Sequence, residues 1–336
     1  MPTLSHIIDC YIKNKKVLFI TTKDISYIRN LQEIDIIKKK AAVHTVIGSH
    51  KKSYLLRLIK IYYMILTTNF SQYDTIWVGF APQLVLPIFK SKFLKSDATI
   101  IEDFFISLYD TFCYDRKKFS PGSLIGKALH SLDEKTLASA DHIICDTNAH
   151  GQYFIEEFHA HSEHLYTLYL KAYQSLYGPM SVTRPDYLEG KYVVLYFGSV
   201  LPLQGVDVVL EAMKQLQHND KLFFYFIGPI KSKQLHRSKP VSENIKYIDW
   251  LPQAELAKYI NYSDLCLAGH FNASIEKAKR TIPGKAYIYQ AIGKPMILGD
   301  NPANHELFST TDNVTFVEMG NAQALADAIL KLSSMP

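Results

Sequence analysis

The chain has 336 residues, 48% hydrophobic and 21% charged, a balance that supplies real cores and excludes a disordered polypeptide. Its formal net charge of +5 suits an anionic ligand or an anionic membrane surface and is too small to argue for nucleic acid. The length predicts two domains rather than one.

Short apolar runs alternate with helix-like segments from the start. Val17–Ile20 reads as a buried first strand, followed by a helix through Ile28, Leu31, Ile34 and Ile37. Strands are expected at 42–47, 75–79, 98–101 and 140–145, with helices at 54–66, 84–95 and up to Phe158. Residues 176–190 mix Pro, Gly, Ser and charge and read as a linker between a first domain, 1–175, and a second, 191–336. The same grammar then restarts: strands at 192–197, 222–227, 245–248, 265–267 and 296–298, and helices at 206–216, 255–262 and 322–332. This order predicts two doubly wound α/β domains whose strand ends face each other across a cleft.

Four cysteines, Cys10, Cys113, Cys145 and Cys266, lie far apart and are expected as reduced core thiols of a cytoplasmic protein. No leader pattern is read at the N-terminus, and no apolar run reaches the roughly 18–20 residues of a membrane span. The segment 51–66, KKSYLLRLIKIYYMIL, reads either as a core helix or as one leaning on an anionic bilayer, with Lys51, Lys52, Arg57 and Lys60 toward headgroups.

Candidate chemistry gathers in five stretches. Gly198 and Gly205 bracket a strand–loop–helix crossing where backbone N–H groups can approach a diphosphate, or simply form an ordinary βα turn. Arg280 and Lys285 flank an Ile-Pro-Gly turn and suit phosphate, whereas Lys277 and Lys279 read as a solvated face. In 300–306, Asp300 or Asn304 caps a helix, or the loop amides and Glu306 hold phosphate and hydroxyls. Asp103, Tyr109, Asp110, Asp115 and Arg116 follow a strand end, where carboxylates suit hydroxyl recognition or general-base work; Asp115 and Arg116 also read as a surface ion pair. After the strand at 140–145, Asp146 or Thr147 is expected to cap the next helix, with His150 nearby. Walker A, zincin, nucleophile-elbow and zinc spacings are missing.

Three blocks in this order, YFGSVLPLQGVDVVLEA, IEKAKRTIPGKAYIYQAIGKPMILGDNPANHELF, and DFFISLYDTFCYDRKKFSPGSL with ADHIICDTNAHGQYFIEEF, resemble a GT-B-fold glycosyltransferase of the family-4 group acting in polysaccharide synthesis. They fit the subset with a Pro-Leu-His/Gln-Gly-Val loop. The resemblance implies an enzyme that moves a sugar from a UDP- or GDP-linked donor to a glycan or lipid-linked acceptor, with retention, no metal and no cofactor beyond the nucleotide sugar. Donor contacts are implied at Gly198, Ser199, Gln204, Gly205, Gly228, Trp250, Leu251, Arg280, Lys285, Pro302, Ala303 and Glu306. Acceptor contacts are implied at Tyr109, Asp115 and Arg116, with Asp110 and Asp103 as the candidate catalytic carboxylates. Localisation is expected to be cytoplasmic, with peripheral contact on the inner face of the plasma membrane.

The chain departs from that pattern in identifiable places. Ser199 and Gln204 stand where the wider family has Arg and Lys, and Arg280 and Ile288 stand where it has two glutamates, the second gripping ribose. The Val-Pro-Asn-Gly stretch before the linker is replaced by LYTLYLKAYQSLYG, and the usual long C-terminal crossing helix is not expected after Leu332. A catalytically degenerate subunit that binds a partner or a glycan, and a sugar-nucleotide epimerase on the same fold, are the competing readings.

Overall fold

The computed structural model describes residues 4–172, 176–311 and 313–334. The chain divides into two compact units, Met1–Lys171 and Ala172–Pro336. Within the expected linker, Met180 N–H donates to Asn261 Oδ1 at 3.0 Å and Arg184 pairs with Asp264 at 2.9 Å, so this segment is fastened to the second unit.

The first unit is a parallel six-stranded sheet in the order β2-β1-β3-β4-β5-β6: β1 Lys16–Asp24, β2 Val43–Ser49, β3 Thr75–Val78, β4 Thr99–Asp103, β5 His142–Cys145 and β6 Leu165–Thr167. Alternate residues face opposite helical layers. Ile76, Val78 and Ile100 pack under helix Tyr54–Thr67 through Ile61 and Ile65, whereas Trp77, Ile101 and Ile144 pack against Ile34 and Ile37 of helix Ile28–Lys40. The helix expected over 84–95 is absent as a continuous element. Ala81 is left-handed, Pro82 opens a single 3₁₀ turn, Pro87 interrupts the next turn, and only Lys90–Phe93 is α-helical.

The second unit has the order β12-β11-β10-β7-β8-β9, all parallel: β7 Tyr192–Phe197, β8 Leu222–Ile227, β9 Ile245–Ile248, β10 Leu265–Gly269, β11 Met296–Gly299 and β12 Val314–Val317. Chain order runs outward from β7 in one direction and from β10 in the other, so the topological switch point lies between their carboxyl ends. Helix Val206–Leu216 covers this sheet with Val209, Ala212 and Met213 in its core, joined by Leu325 and Ile329 of helix Ala322–Ser333.

Three cysteines are buried, and Cys10 is exposed, against the expectation of a core thiol. Among the described residues no helix is long and apolar enough to cross a membrane.

Candidate functional site

The switch point of the second unit holds a buried lysine. Helix Gly284–Ile292 starts after Pro283, whose extended backbone sets its entry, and places Lys285 in its first turn. Lys285 is 6% exposed, and its Nζ has no hydrogen-bond partner among the described residues. The ammonium lies 3.8 Å from the centroid of the Tyr196 ring. It also borders the glycines that follow β7 and end β10: a Cβ on Gly198 would meet it at 3.4 Å and one on Gly269 at 3.8 Å. Burial alone holds its pKa well below the ordinary lysine value.

Other polar atoms there are also unsatisfied. Among the described residues Gln204 Oε1 has no partner and lies 3.1 Å from where a Gly269 Cβ would stand, and the buried Tyr196 hydroxyl, beside Gly198, has none either. A donor, an acceptor and a hydroxyl left open in one place are groups that an anion or a hydroxyl could satisfy.

Two glycines make the crossing possible. Gly205 has φ +64, and a Cβ there would stand 2.6 Å from the Asn272 nitrogen. A side chain on Gly228 would collide with the Gly198 carbonyl oxygen, so the ends of β7 and β8 approach closely only with glycine there. Ser199 is exposed and, with Pro202, Asp207, Pro229 and Lys231, lines a cavity of about 590 Å³ beside this crossing. Lys231 was not singled out from sequence because nothing local marks it.

The remaining donor-side residues are more dispersed. Arg280 ends the short helix Glu276–Arg280, half-buried. Lys279 pairs with Glu276 at 2.6 Å on a solvated face, as expected, but Lys277 is buried, contrary to the solvated reading. Pro302 starts the four-residue helix Pro302–His305, with Ala303 buried and Glu306 just past its end. Its cap is Asn301, whose Oδ1 accepts from Asn304 N–H at 2.8 Å, rather than Asp300 or Asn304; Asp300 pairs instead with His305 at 2.7 Å. Trp250, 74% exposed, and Leu251 follow β9, the edge strand two places from β7, and are not brought to Lys285. Ile288 is half-buried on the lysine's own helix.

In the first unit the carboxyl edge is a network of buried polar groups. Asp103 is fully buried and grips Arg29 with both oxygens, at 2.9 Å to Nε and 2.8 Å to Nη2. Arg29 Nη1 also donates to the Leu168 carbonyl. Burial works against the charge on Arg29, and the Asp103 carboxylate overrides it. Asp103 therefore stands as the counter-ion of a buried arginine, a geometry that argues against general-base work. Glu33 completes this cluster, accepting from Trp77 Nε1 at 3.2 Å; burial and then Asp103 raise its pKa well above the carboxylate range.

Asp110 is also buried, on a turn that Asp133 builds. Asp133 accepts from Ser107 Oγ at 2.7 Å, Tyr109 N–H at 2.8 Å and Gln83 Nε2 at 2.9 Å, while Asp110 N–H donates to Ser107 Oγ at 2.9 Å. Tyr109, expected on the acceptor, is turned into the core against Tyr114, His130 and Phe158. Asp115 is buried and meets the exposed Arg116 at 3.4 Å, so this pair is only half a surface ion pair. Thr147 caps helix Asn148–Phe158, and Asp146 instead holds His150 Nδ1 at 2.7 Å.

Sequence reasoning missed Asp133, Tyr196 and Tyr289. Each sits at a position whose periodicity reads as helix surface or core, and only the fold aims them at other polar groups. Among the described residues no group of His, Cys, Asp and Glu is placed to hold a metal ion.

Comparison with known proteins bears on family and fold. Residues 191–335 match the family model described as Glycosyl transferases group 1. A Pseudomonas aeruginosa protein described as "Probable glycosyltransferase WbjE" is 32% identical over 116 residues, covering 32% of this chain and 27% of that relative's length. Among solved structures, Anabaena HepE in complex with UDP is similar at TM-score 0.67 and 16% identity, covering 94% of this chain and 89% of its own. Sucrose-phosphate synthase from Thermosynechococcus elongatus is similar at TM-score 0.68 and 12% identity, covering 95% and 89%. Residues 191–335 thus match the Glycosyl transferases group 1 model, in a chain whose fold over nearly its whole length is similar to these GT-B structures.

Proposed function

We propose that the chain is a glycosyltransferase that moves a hexose-type sugar from a nucleoside-diphosphate donor to a glycan or lipid-linked acceptor in polysaccharide, capsule or lipopolysaccharide synthesis. The observation that carries this reading is Lys285, a buried ammonium without a hydrogen-bond partner among the described residues, at the switch point of the unit that matches the group 1 model. A charge desolvated in this way is costly until an anion joins it, and a diphosphate bound across Gly198, Ser199 and Gly205 supplies that anion. UDP is the first nucleotide to test, because HepE is described in complex with UDP and with UDP-glucose, and GDP is the second. The Leu201–Val206 string supports placing the chain in the subset with a Pro-Leu-His/Gln-Gly-Val loop.

In this reaction the bond from the anomeric carbon to the donor phosphate oxygen breaks, and its electron pair leaves with the diphosphate. Lys285, Arg280 and the N–H groups opening helix Gly284–Ile292 receive that developing charge. The acceptor hydroxyl forms the new bond, and its proton passes to the departing phosphate; Asp110 is the carboxylate of the first unit to substitute first. Retention of configuration and independence from metal belong to this proposal. So does a cytoplasmic location with contact to an anionic bilayer through helix Tyr54–Thr67. In that contact Arg57 takes no part: it is buried, with Nε donating to the Thr22 carbonyl at 3.1 Å and Nη1 to the Lys51 carbonyl at 3.0 Å.

Saturation-transfer NMR with UDP-, GDP- and dTDP-sugars, followed by release of nucleoside diphosphate, tests the reading. Binding of one donor that is lost in Lys285→Ala and in Arg280→Ala supports it. Binding of none, or turnover unchanged in both variants, overturns it and favours the degenerate subunit that Ile288, Ser199 and Gln204 also fit.

A further inference from the structure

Two helices of the first unit leave apolar residues in water. Helix Tyr54–Thr67 exposes Leu55 (67%), Ile59, Tyr63 (68%) and Leu66 along one stripe, with Leu56 beside it. Helix Leu124–Leu137, capped by Ser123, opens on Leu124 (87% exposed) and Ile125, and Tyr114 just upstream is exposed too. Solvated helix starts ordinarily carry polar residues, so apolar ones there need an occupant.

Both helices lie in the same layer. Val78, Glu102 and Ile143 are register partners across β3, β4 and β5 and so point to one face. On that face Ile61 and Ile65 pack with Val78, and Leu137 packs with Ile143. Each helix follows a strand and runs back along the sheet, so both starts lie toward its carboxyl edge.

Charge identifies the occupant. Residues 116–127, RKKFSPGSLIGK, contain Arg116, Lys117, Lys118 and Lys127 and no acidic residue. Residues 51–66 contain Lys51, Lys52, Arg57 and Lys60 and likewise no acidic residue; apart from the buried Arg57, these cations are exposed. Asp115, between Tyr114 and Arg116, is buried and paired with Arg116 at 3.4 Å; the exposed apolar side chains are otherwise flanked by cations, which matches a headgroup layer where the chains enter the acyl boundary and the lysines meet phosphate.

We propose that the first unit docks on an anionic bilayer through two contacts in one helical layer, helix Tyr54–Thr67 and the 114–127 segment. The second contact is the new one. It follows Asp110 directly in the chain and holds the carboxyl edge of this sheet at headgroup level, where an acceptor carried by a lipid would be presented. That consequence rests on the glycosyltransferase reading; the docking itself does not.

Co-sedimentation with phosphatidylglycerol and phosphatidylcholine vesicles tests it, using wild type, Leu124→Gln/Ile125→Gln, Lys118→Gln/Lys127→Gln and Leu55→Gln/Ile59→Gln. Each pair of substitutions is expected to weaken binding to phosphatidylglycerol by on the order of tenfold, and phosphatidylcholine to bind little. The UDP-induced thermal shift, read in parallel, is expected to be unchanged in all three variants. Binding to phosphatidylglycerol unaffected by the 118/127 and 124/125 variants overturns the second contact. Binding only when phosphatidylcholine is doped with a polyprenyl phosphate overturns bilayer docking in favour of a single-lipid site. Loss of the UDP shift in wild type overturns the donor reading and leaves the vesicle result standing.

Discussion

The Lys285 ammonium sits 3.8 Å from the centroid of the Tyr196 ring, a cation held against an aromatic face inside a sheet edge. A cation–π contact offsets part of the desolvation cost, on the order of 2 kcal/mol when dry, and leaves the remaining N–H donors for a ligand. Lys285→Met is therefore expected to raise the thermal midpoint of the free protein and to reduce its stabilisation by UDP. Loss of one charge-assisted phosphate contact weakens donor binding by about 2 kcal/mol, roughly thirtyfold in Kd. The sign of the pH dependence follows from burial. The folded lysine releases its proton well below the ordinary 10.5, so the unfolded chain binds more protons between the two values. This component of stability rises with pH across that window and is absent in Lys285→Met. Urea titrations at several pH values, with and without UDP, check both signs.

Asp103 separates a structural carboxylate from a chemical one. With both oxygens on Arg29, removing its charge strands a buried guanidinium, at a cost of about 3–5 kcal/mol. Asp103→Asn is expected to lower the denaturation midpoint sharply while the folded fraction keeps its donor turnover. Asp110→Asn is expected to keep the midpoint and lose sugar transfer. Chemical denaturation of each variant alongside a transfer assay tells the two outcomes apart.

The second sheet was nearly legible before folding. Tyr192–Phe197, Leu222–Ile227 and Ile245–Ile248 are apolar runs of strand length bounded by Gly, Pro, Asn and Asp, and they form as read. The edge strands β6 and β12 were missed because each is only three or four residues long, with half-buried Thr167 and Thr315 breaking the apolar signal. Over 84–95 the helical spacing of Leu84, Ile88 and Lys92 was real, but Pro87 has no N–H to give the Gln83 carbonyl, and α-helix forms only over Lys90–Phe93. Lys285 was legible as a cation ahead of a turn. That Tyr196, 89 residues away in sequence, would form its wall was not, because a tyrosine within a run of Val and Leu carries no sign of what it faces.

Glu102 gives the first unit a distinct acid response. It is fully buried, neither oxygen has a partner among the described residues, and burial, then Asp133 and Asp103, raise its pKa well above the usual 4.5. The unfolded glutamate loses its proton near 4.5 while the folded one keeps it, so this component of stability falls as pH rises above 4.5. Glu102→Met is expected to stabilise the protein near pH 7 by about 1–3 kcal/mol and to change little at pH 4. Equal gains at both values would mean that packing, not charge, is responsible.

Ile288 is the residue whose replacement speaks most directly to the donor. It stands one helical turn after Lys285, half-buried, where the resembling family carries a glutamate on the ribose hydroxyls. An isoleucine offers those hydroxyls no acceptor, so a bound nucleotide leaves them to water. Ile288→Glu places a carboxylate one turn along the same helix face, and a charged acceptor for a hydroxyl pair contributes about 1.5–3 kcal/mol. Affinity for UDP is therefore expected to rise by about tenfold or more, while affinity for inorganic diphosphate, which has no ribose, stays flat or falls slightly from the added negative charge. Calorimetric titration with the two ligands separates these outcomes. Parallel gains for both ligands would place the new carboxylate away from ribose, and no change for either would put the nucleotide elsewhere on the sheet edge.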